Sequence, residues 1–246
     1  LEVHRRPRVA CFFTGDELVM PGQPLPAGGI YNSNRFVLNA LLRRLGCEVL
    51  DLGIVPDSRE ATRQALREAA EGADLIISAG GVSVGEEDHV RPAVEAEGQI
   101  DLWRVAIKPG RPLAYGRVGR HGPEGARAAV PGSFAHFIGL PGNPVSAYVT
   151  FLLFVRPFVL RLQGIQAVEP QAVTLISGFD WTNPDRRREF LRAVHLPDGR
   201  LGLFRQQGSA VLTSAVVGHG LIDNPPGQTI RQGDAVRFLS FAELLN

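Results

Sequence analysis

Cysteine is scarce in this sequence. Only Cys11 and Cys47 occur in 246 residues, and neither belongs to a paired motif. A disulfide framework is excluded, and both thiols read as reduced core residues of an intracellular, cytoplasmic protein. A dominant charge is also missing. The net charge is +1, so no basic field marks a nucleic-acid partner. No apolar run reaches the roughly 20 uninterrupted residues a bilayer requires. The most apolar stretch, residues 145–162, is broken by Arg156 and Pro157 and reads as the buried helix of a soluble protein with no membrane partner. The first eight residues lack an apolar signal region, and the missing initial Met reads as a cut or trimmed N-terminus. No spacing sets any of the six histidines beside a Ser or Cys nucleophile, so a catalytic triad finds no support.

Hydrophobic residues make up 44% and charged residues 21%, the balance of a folded globular chain. Apolar runs at residues 8–13, 48–54 and 75–78 read as buried strands. Between and after them lie helical patterns at residues 35–45, 58–71 and 87–97, the first with apolar Val37, Leu38, Leu41, Leu42 and Leu45 on one face. Strand and helix alternate three times with short connections, which predicts an α/β fold with a doubly wound, mostly parallel sheet in three layers. Further strands are expected at residues 100–107, 113–118 and 134–140, and a helix over 145–162 with a kink at Pro157. Beyond Gly164 short alternating runs separated by Pro-Asp-Gly and Pro-Pro-Gly turns predict a small all-β, barrel-like domain. The expected division is residues 1–168 and 169–246.

In a doubly wound sheet ligands sit beyond the carboxyl ends of the strands. Three stretches follow strands directly: Thr14-Gly15-Asp16-Glu17, Asp57, and Gly80-Gly81-Val82-Ser83-Val84-Gly85 with Asp88 behind it. The glycines let backbone N–H groups approach an anion, and a helix start adds unpaired donors. Asp57 with Glu60 also fits a capping box, and Glu17 and Asp88 alone also fit turn positions. Taken together, three carboxylates on one edge repel one another unless a cation lies between them, and oxygen ligands without His or Cys favour Mg2+ over Zn2+. Lys108-Pro109-Gly110-Arg111-Pro112 is either a solvated turn or an anion clamp, and Arg104 either joins it or is a surface strand residue. Pro141-Gly142-Asn143-Pro144 before Ser146 is either a plain helix entry or a second anion-binding helix start. The residues alone thus describe an enzyme or binder for an anionic, phosphorylated ligand with Mg2+.

Four of these stretches, Thr14–Leu18, Ser78–Asp88, Lys108–Pro112 and Leu140–Ser146, in this order and spacing, resemble motifs of the molybdopterin molybdenumtransferase family, and the resemblance covers the whole chain. It implies the last step of molybdenum cofactor synthesis, in which adenylylated molybdopterin takes molybdate and AMP is released with the help of Mg2+. Carried over by motif, Glu17, Asp57 and Asp88 surround the metal and the phosphoanhydride, while Lys108, Arg111 and Ser146 hold molybdate or the pterin phosphate. Lys108 joins the three carboxylates as catalytic. Arg187 and Ser209 match further oxyanion contacts. Thr14, Gly15, Asp16, Gly80, Gly81, Val82, Ser83, Gly85, Arg104, Pro109, Gly110, Pro141, Gly142, Asn143 and Pro144 complete the substrate-binding set. The family also has an N-terminal half with two more domains and works as a homodimer, so the resemblance implies that this chain is a C-terminal half. Phe13 stands where the family often has Ser, and Arg104 and Arg111 where it often has Lys. The alternatives are the related molybdopterin adenylyltransferase and a scaffold that binds without turnover.

Overall fold

In the computed structural model, which describes residues 3–81, 89–110, 112–122, 132–210 and 212–245, the first apolar run becomes strand β1 (Arg8–Thr14). Its continuous hydrophobicity has a direct cause. Alternate side chains of a strand point to opposite faces, and here both faces are covered. Val9, Cys11 and Phe13 enter one core cluster, while Ala10 and Phe12 enter another. Two short strands follow, β2 (Leu18–Val19) and β3 (Ile30–Tyr31), then helix α1 (Ser33–Arg44), whose Asn32 cap accepts from Arg35 N–H at 3.2 Å. Strand β4 (Glu48–Val55) leads to α2 (Arg59–Gly72), which buries Thr62, Ala65, Leu66, Ala69 and Ala70 at helical spacing. Next come β5 (Leu75–Ala79), α3 (Val90–Glu97), β6 (Gly98–Trp103), β7 (Ile107–Lys108), β8 (Ala114–Gly119) and β9 (Phe134–Leu140). The sheet order is β4-β1-β5-β9-β8-β6. The first four strands run parallel, and β8 and β6 are antiparallel to their neighbours.

Helix α4 (Pro144–Leu162) is long and apolar enough to cross a membrane by composition, yet 67% of it is buried inside the protein, as in a core helix. Ahead of Pro157, where a kink is expected, the helix contains a π-helical turn over Phe151–Val155. Proline lacks the N–H of the regular ladder and its ring crowds the carbonyl four residues back, and a π turn relieves both without ending the helix. The strand expected over residues 100–107 divides in two. Arg104 adopts φ 94°, and Ile107–Lys108 leaves the main sheet to pair in parallel with Arg188 and Glu189.

The C-terminal part holds β10 (Val173–Ile176), β11 (Arg188–His195), β12 (Leu201–Leu203), α5 (Thr213–Val217), β13 (Gly220–Asn224), β14 (Ala235–Ser240) and α6 (Phe241–Leu245). Its strands follow the open order β10-β14-β13-β11-β12. The expected barrel is not closed by strand pairing, because among the described residues its two edges meet only at the single bridge Ser177–Leu201. Inward residues such as Leu191, Ile222 and Phe238 form a local core. Their neighbours Phe190, Leu221 and Leu239 face the other way and join the large cluster around α4. Each such side chain, once buried, contributes about 1.5–3 kcal/mol, so the two parts are welded by shared core. Arg44 Nε donates to the Leu245 carbonyl at 2.7 Å and Arg156 to that of Glu243 at 3.3 Å, which ties α6 down.

One half-buried group sets a pH dependence. His136 on β9 lies against Phe134 and Phe158, with Nδ1 3.0 Å from the Tyr115 hydroxyl. Burial, and after it Arg117, pushes its imidazolium below the usual range. The neutral ring is therefore favoured in the folded state. Its contribution to stability is complete above the unfolded value of about 6.5 and declines as pH falls from there through the folded value. Urea denaturation between pH 7.5 and 5 should show this slope, and His136→Gln should flatten it. An unchanged slope in the variant would remove His136 as its source.

Candidate functional site

Four parallel strands end on one edge, and the turns that leave them enclose a cavity of about 480 Å³. After β1 the chain makes a tight turn, with Leu18 N–H bonded to the Gly15 carbonyl at 3.0 Å. The Glu17 carboxylate folds back over Gly15, whose missing Cβ would lie 2.7 Å from Oε2. After β4 comes Asp57. After β5, Gly80 is wedged between its neighbours, donating to the Leu140 carbonyl at 3.2 Å while its Cα faces the Thr14 carbonyl. After β9, residues 141–144 turn into α4 and are pinned from the far side by Asn34, whose Nδ2 donates to the Gly142 carbonyl at 2.7 Å. Two hydroxyls near these turns, Thr14 Oγ1 and Ser78 Oγ, are buried with no hydrogen-bond partner among the described residues. A buried hydroxyl left unbonded costs about 1–3 kcal/mol, and such atoms mark places where a ligand, water or ion completes the set.

The expected residues divide into three groups. Thr14, Gly15, Glu17, Asp57, Gly80, Gly81, Pro141, Gly142, Asn143, Pro144 and Ser146 line the cavity together. Val82, Ser83, Gly85, Asp88 and Arg111 lie outside the described residues. Asp16, Arg104, Lys108, Pro109, Gly110, Arg187 and Ser209 are described but do not line it. Asp16 is exposed, and Arg104 sits on the surface with its N–H bonded to the Leu113 carbonyl at 2.8 Å. Gly110 packs on α4, its missing Cβ 2.5 Å from Thr150 Cγ2.

The capping role open to Asp57 belongs to its neighbour, since Ser58 Oγ accepts from Ala61 N–H at 3.3 Å. Asp57 is thereby left to face the cavity. Pro144 occupies the first turn of α4, but Asn143 makes no side-chain cap, and Val145 N–H is bonded to the Ser209 carbonyl at 3.0 Å. Part of that helix start is therefore sealed by the C-terminal domain, and Ser209 acts there through its backbone. Among the described residues no three His, Cys, Asp or Glu side chains form a metal-binding group. Among the described residues, Glu17 and Asp57 are the two carboxylates that line the cavity.

Lys108 points to the C-terminal domain instead, 3.4 Å from Asp185 and 3.3 Å from Glu189. Arg187 grips Asp185 through Nε at 2.9 Å and Nη2 at 2.8 Å, and those hydrogen bonds, with Lys108 behind them, hold the Asp185 carboxyl well below the usual range. Sequence reasoning missed Arg192, which is 2% exposed. Burial lowers its guanidinium to about 10. It has no carboxylate partner among the described residues, and Nη2 donates to the Gly208 carbonyl at 2.9 Å, beneath the turn that carries Ser209. The available signal was its place in the β11 alternation, where a cation shares the buried face of Phe190.

Residues 10–161 match the family described as "Probable molybdopterin binding domain", and residues 174–241 match the "MoeA C-terminal region (domain IV)". A molybdopterin molybdenumtransferase of Haemophilus influenzae is 44% identical over 164 residues, covering 67% of this chain and 37% of that protein. One from Nostoc is 37% identical over 213 residues, covering 85% and 46%. A crystal structure of a molybdopterin biosynthesis protein from Pyrococcus horikoshii, 26% identical, superposes with a TM-score of 0.77 over 96% of this chain and 55% of its own. The chain thus spans less than half the length of these curated relatives. With its molybdopterin-binding domain and its C-terminal region both present, the chain belongs to the molybdopterin molybdenumtransferase family.

Proposed function

We propose that this chain binds adenylylated molybdopterin in the cavity at the strand ends and, within a longer molybdenumtransferase, supports exchange of the adenylyl group for molybdate with release of AMP. The observation that carries this reading is the meeting of Glu17 and Asp57 with the Gly80-Gly81 turn in one cavity of about 480 Å³. Backbone N–H groups at such turns suit phosphate oxygens. The two carboxylates would repel those oxygens, and an oxygen-only donor set of this kind suits Mg2+. Glu17 and Asp57 would hold it, with Asp88 as the third carboxylate. Bound there, Mg2+ would offset phosphate charge. The chain's own groups set the orientation. Asn34 fixes the Gly142 turn, Gly80 keeps the β1 and β9 ends close, and Ser146 lines the cavity at the α4 entry.

The same reading extends to a division near residue 168, supported by family matches that stop at residue 161 and resume at 174. It extends also to a cytoplasmic homodimer. Both cysteines are buried and free, and burial pushes the Cys47 thiol up to about 11, which suits a reducing compartment. Calorimetric titration of the chain with AMP, with and without Mg2+, and with molybdate tests the reading. AMP is expected to bind more tightly with Mg2+ present. Absence of both AMP and molybdate binding would sink it in favour of a scaffold.

A further inference from the structure

Lys108 is the sole lysine among the 26 Lys and Arg residues of the chain, and sheet register determines its place. β7 and β11 pair with Lys108 opposite Glu189, and β11 and β13 pair with Glu189 opposite Asn224. Register partners on neighbouring strands present their side chains on the same face, so these three form one row in which neighbours interact. Glu189 is the centre of the row, with a side chain that is 0% exposed. Its Oε1 lies 3.3 Å from Lys108 Nζ, and its Oε2 accepts from Trp181 Nε1 at 2.8 Å and from Asn224 Nδ2 at 3.5 Å. Among the described residues Lys108 is its one ion-pair partner. A buried carboxylate separated from its one cation would be left uncompensated, so the pair resists separation. The other carboxylate near Lys108, Asp185, is already engaged by both arms of Arg187. Glu189 is therefore the group that aims the ammonium.

The Lys108 side chain keeps 43% exposure, which leaves N–H donors for a ligand. From it the chain passes through Pro109 and Gly110 to Pro112 on the cavity wall. We propose that Glu189 is a positioning residue, which presents the Lys108 ammonium to an oxyanion at the seam between the two domains. This rests on the molybdate reading above and adds the residue that orients its cation.

The test uses the full chain and two measurements. One is the rate at which a succinimidyl ester acylates Lys108, followed by peptide mass mapping, which a single lysine makes unambiguous. The other is molybdate affinity by calorimetry. In Glu189→Gln the acylation rate and the molybdate dissociation constant should each rise about tenfold, the scale of a lost charge-assisted hydrogen bond. Glu189→Asp should recover part of both. Trp181→Phe, which keeps the carboxylate and removes one of its donors, should move both about threefold and stands in if Glu189→Gln does not fold. Unchanged acylation in these variants overturns the positioning role. Faster acylation with unchanged molybdate affinity shows a merely structural contact and overturns it as well. Faster acylation in a chain whose wild type binds no molybdate supports the hold on Lys108 and places the failure on the molybdate reading alone.

Discussion

Replacing Asp57 by Asn in the longer family protein is expected to slow AMP release from adenylylated molybdopterin by roughly a hundredfold to a thousandfold, the scale on which one lost electrostatic group at a reacting phosphate acts. The substitution keeps the shape of the side chain and removes its charge. It should leave the fold alone, because the α2 start is capped by Ser58 and not by Asp57. The companion variant makes the contrast measurable. Ser58→Ala removes the hydroxyl that accepts from Ala61 N–H and should cost about 1 kcal/mol of stability while AMP release stays unchanged. The two neighbours thus separate a structural role from a chemical one at adjacent positions. A wild-type rate in Asp57→Asn, with Ser58→Ala behaving as expected, would remove the carboxylate from the site.

That separation shows what the sequence could and could not disclose. The βα turns at Thr14–Glu17, Asp57 and Gly80–Gly81 were legible, because alternation of strands and helices already places such turns on one edge. Which of Asp57 and Ser58 capped α2 was not, since both residue types cap well and the choice depends on backbone angles that tertiary packing sets. Ser58 takes the extended conformation that a cap requires. The Lys108-Pro-Gly motif was legible as a cationic loop, but its direction was not. Lys108 is turned to the C-terminal domain by the pairing of β7 with β11, a contact 81 residues away in sequence. Periodicity is local and carries no information about such a pairing.

The fold divides in the same way. β1 and β5 were readable as buried strands because covered faces leave unbroken apolar runs, and α1 and α2 because their apolar residues keep one face. β13 (Gly220–Asn224) escaped notice although all five of its residues are buried. It contains Gly, Asp and Asn, residues that weaken a strand signal. Asp223 is accommodated there by Arg188 at 2.5 Å and Arg237 at 3.2 Å, and Asn224 by the Gln228 carbonyl at 2.9 Å. Those partners come from other strands and turns, and only the assembled sheet supplies them.

Gly80→Ala should be the most damaging single substitution at the edge of the cavity. Gly80 has φ 101°, a region that L side chains rarely adopt. A Cβ there would lie 2.1 Å from the Thr14 carbonyl oxygen and 3.2 Å from its carbon. Both atoms are backbone at the end of a central strand, so neither can swing aside as a flexible side chain could. Strain and overlap together should cost about 3–5 kcal/mol, equivalent to about 10 °C in Tm for a chain of this size. Gly22→Ala separates the two causes. Gly22 has φ 94° and nothing within 4 Å of its missing Cβ, so only the backbone strain of about 1 kcal/mol applies. Thermal and urea denaturation of both variants would settle the difference. If Gly80→Ala proves as mild as Gly22→Ala, the β1 and β5 ends are not held in contact by this glycine. If it is severe, AMP affinity measured at a temperature where the variant stays folded should fall too, because separating those ends widens the cavity that Glu17 and Asp57 share.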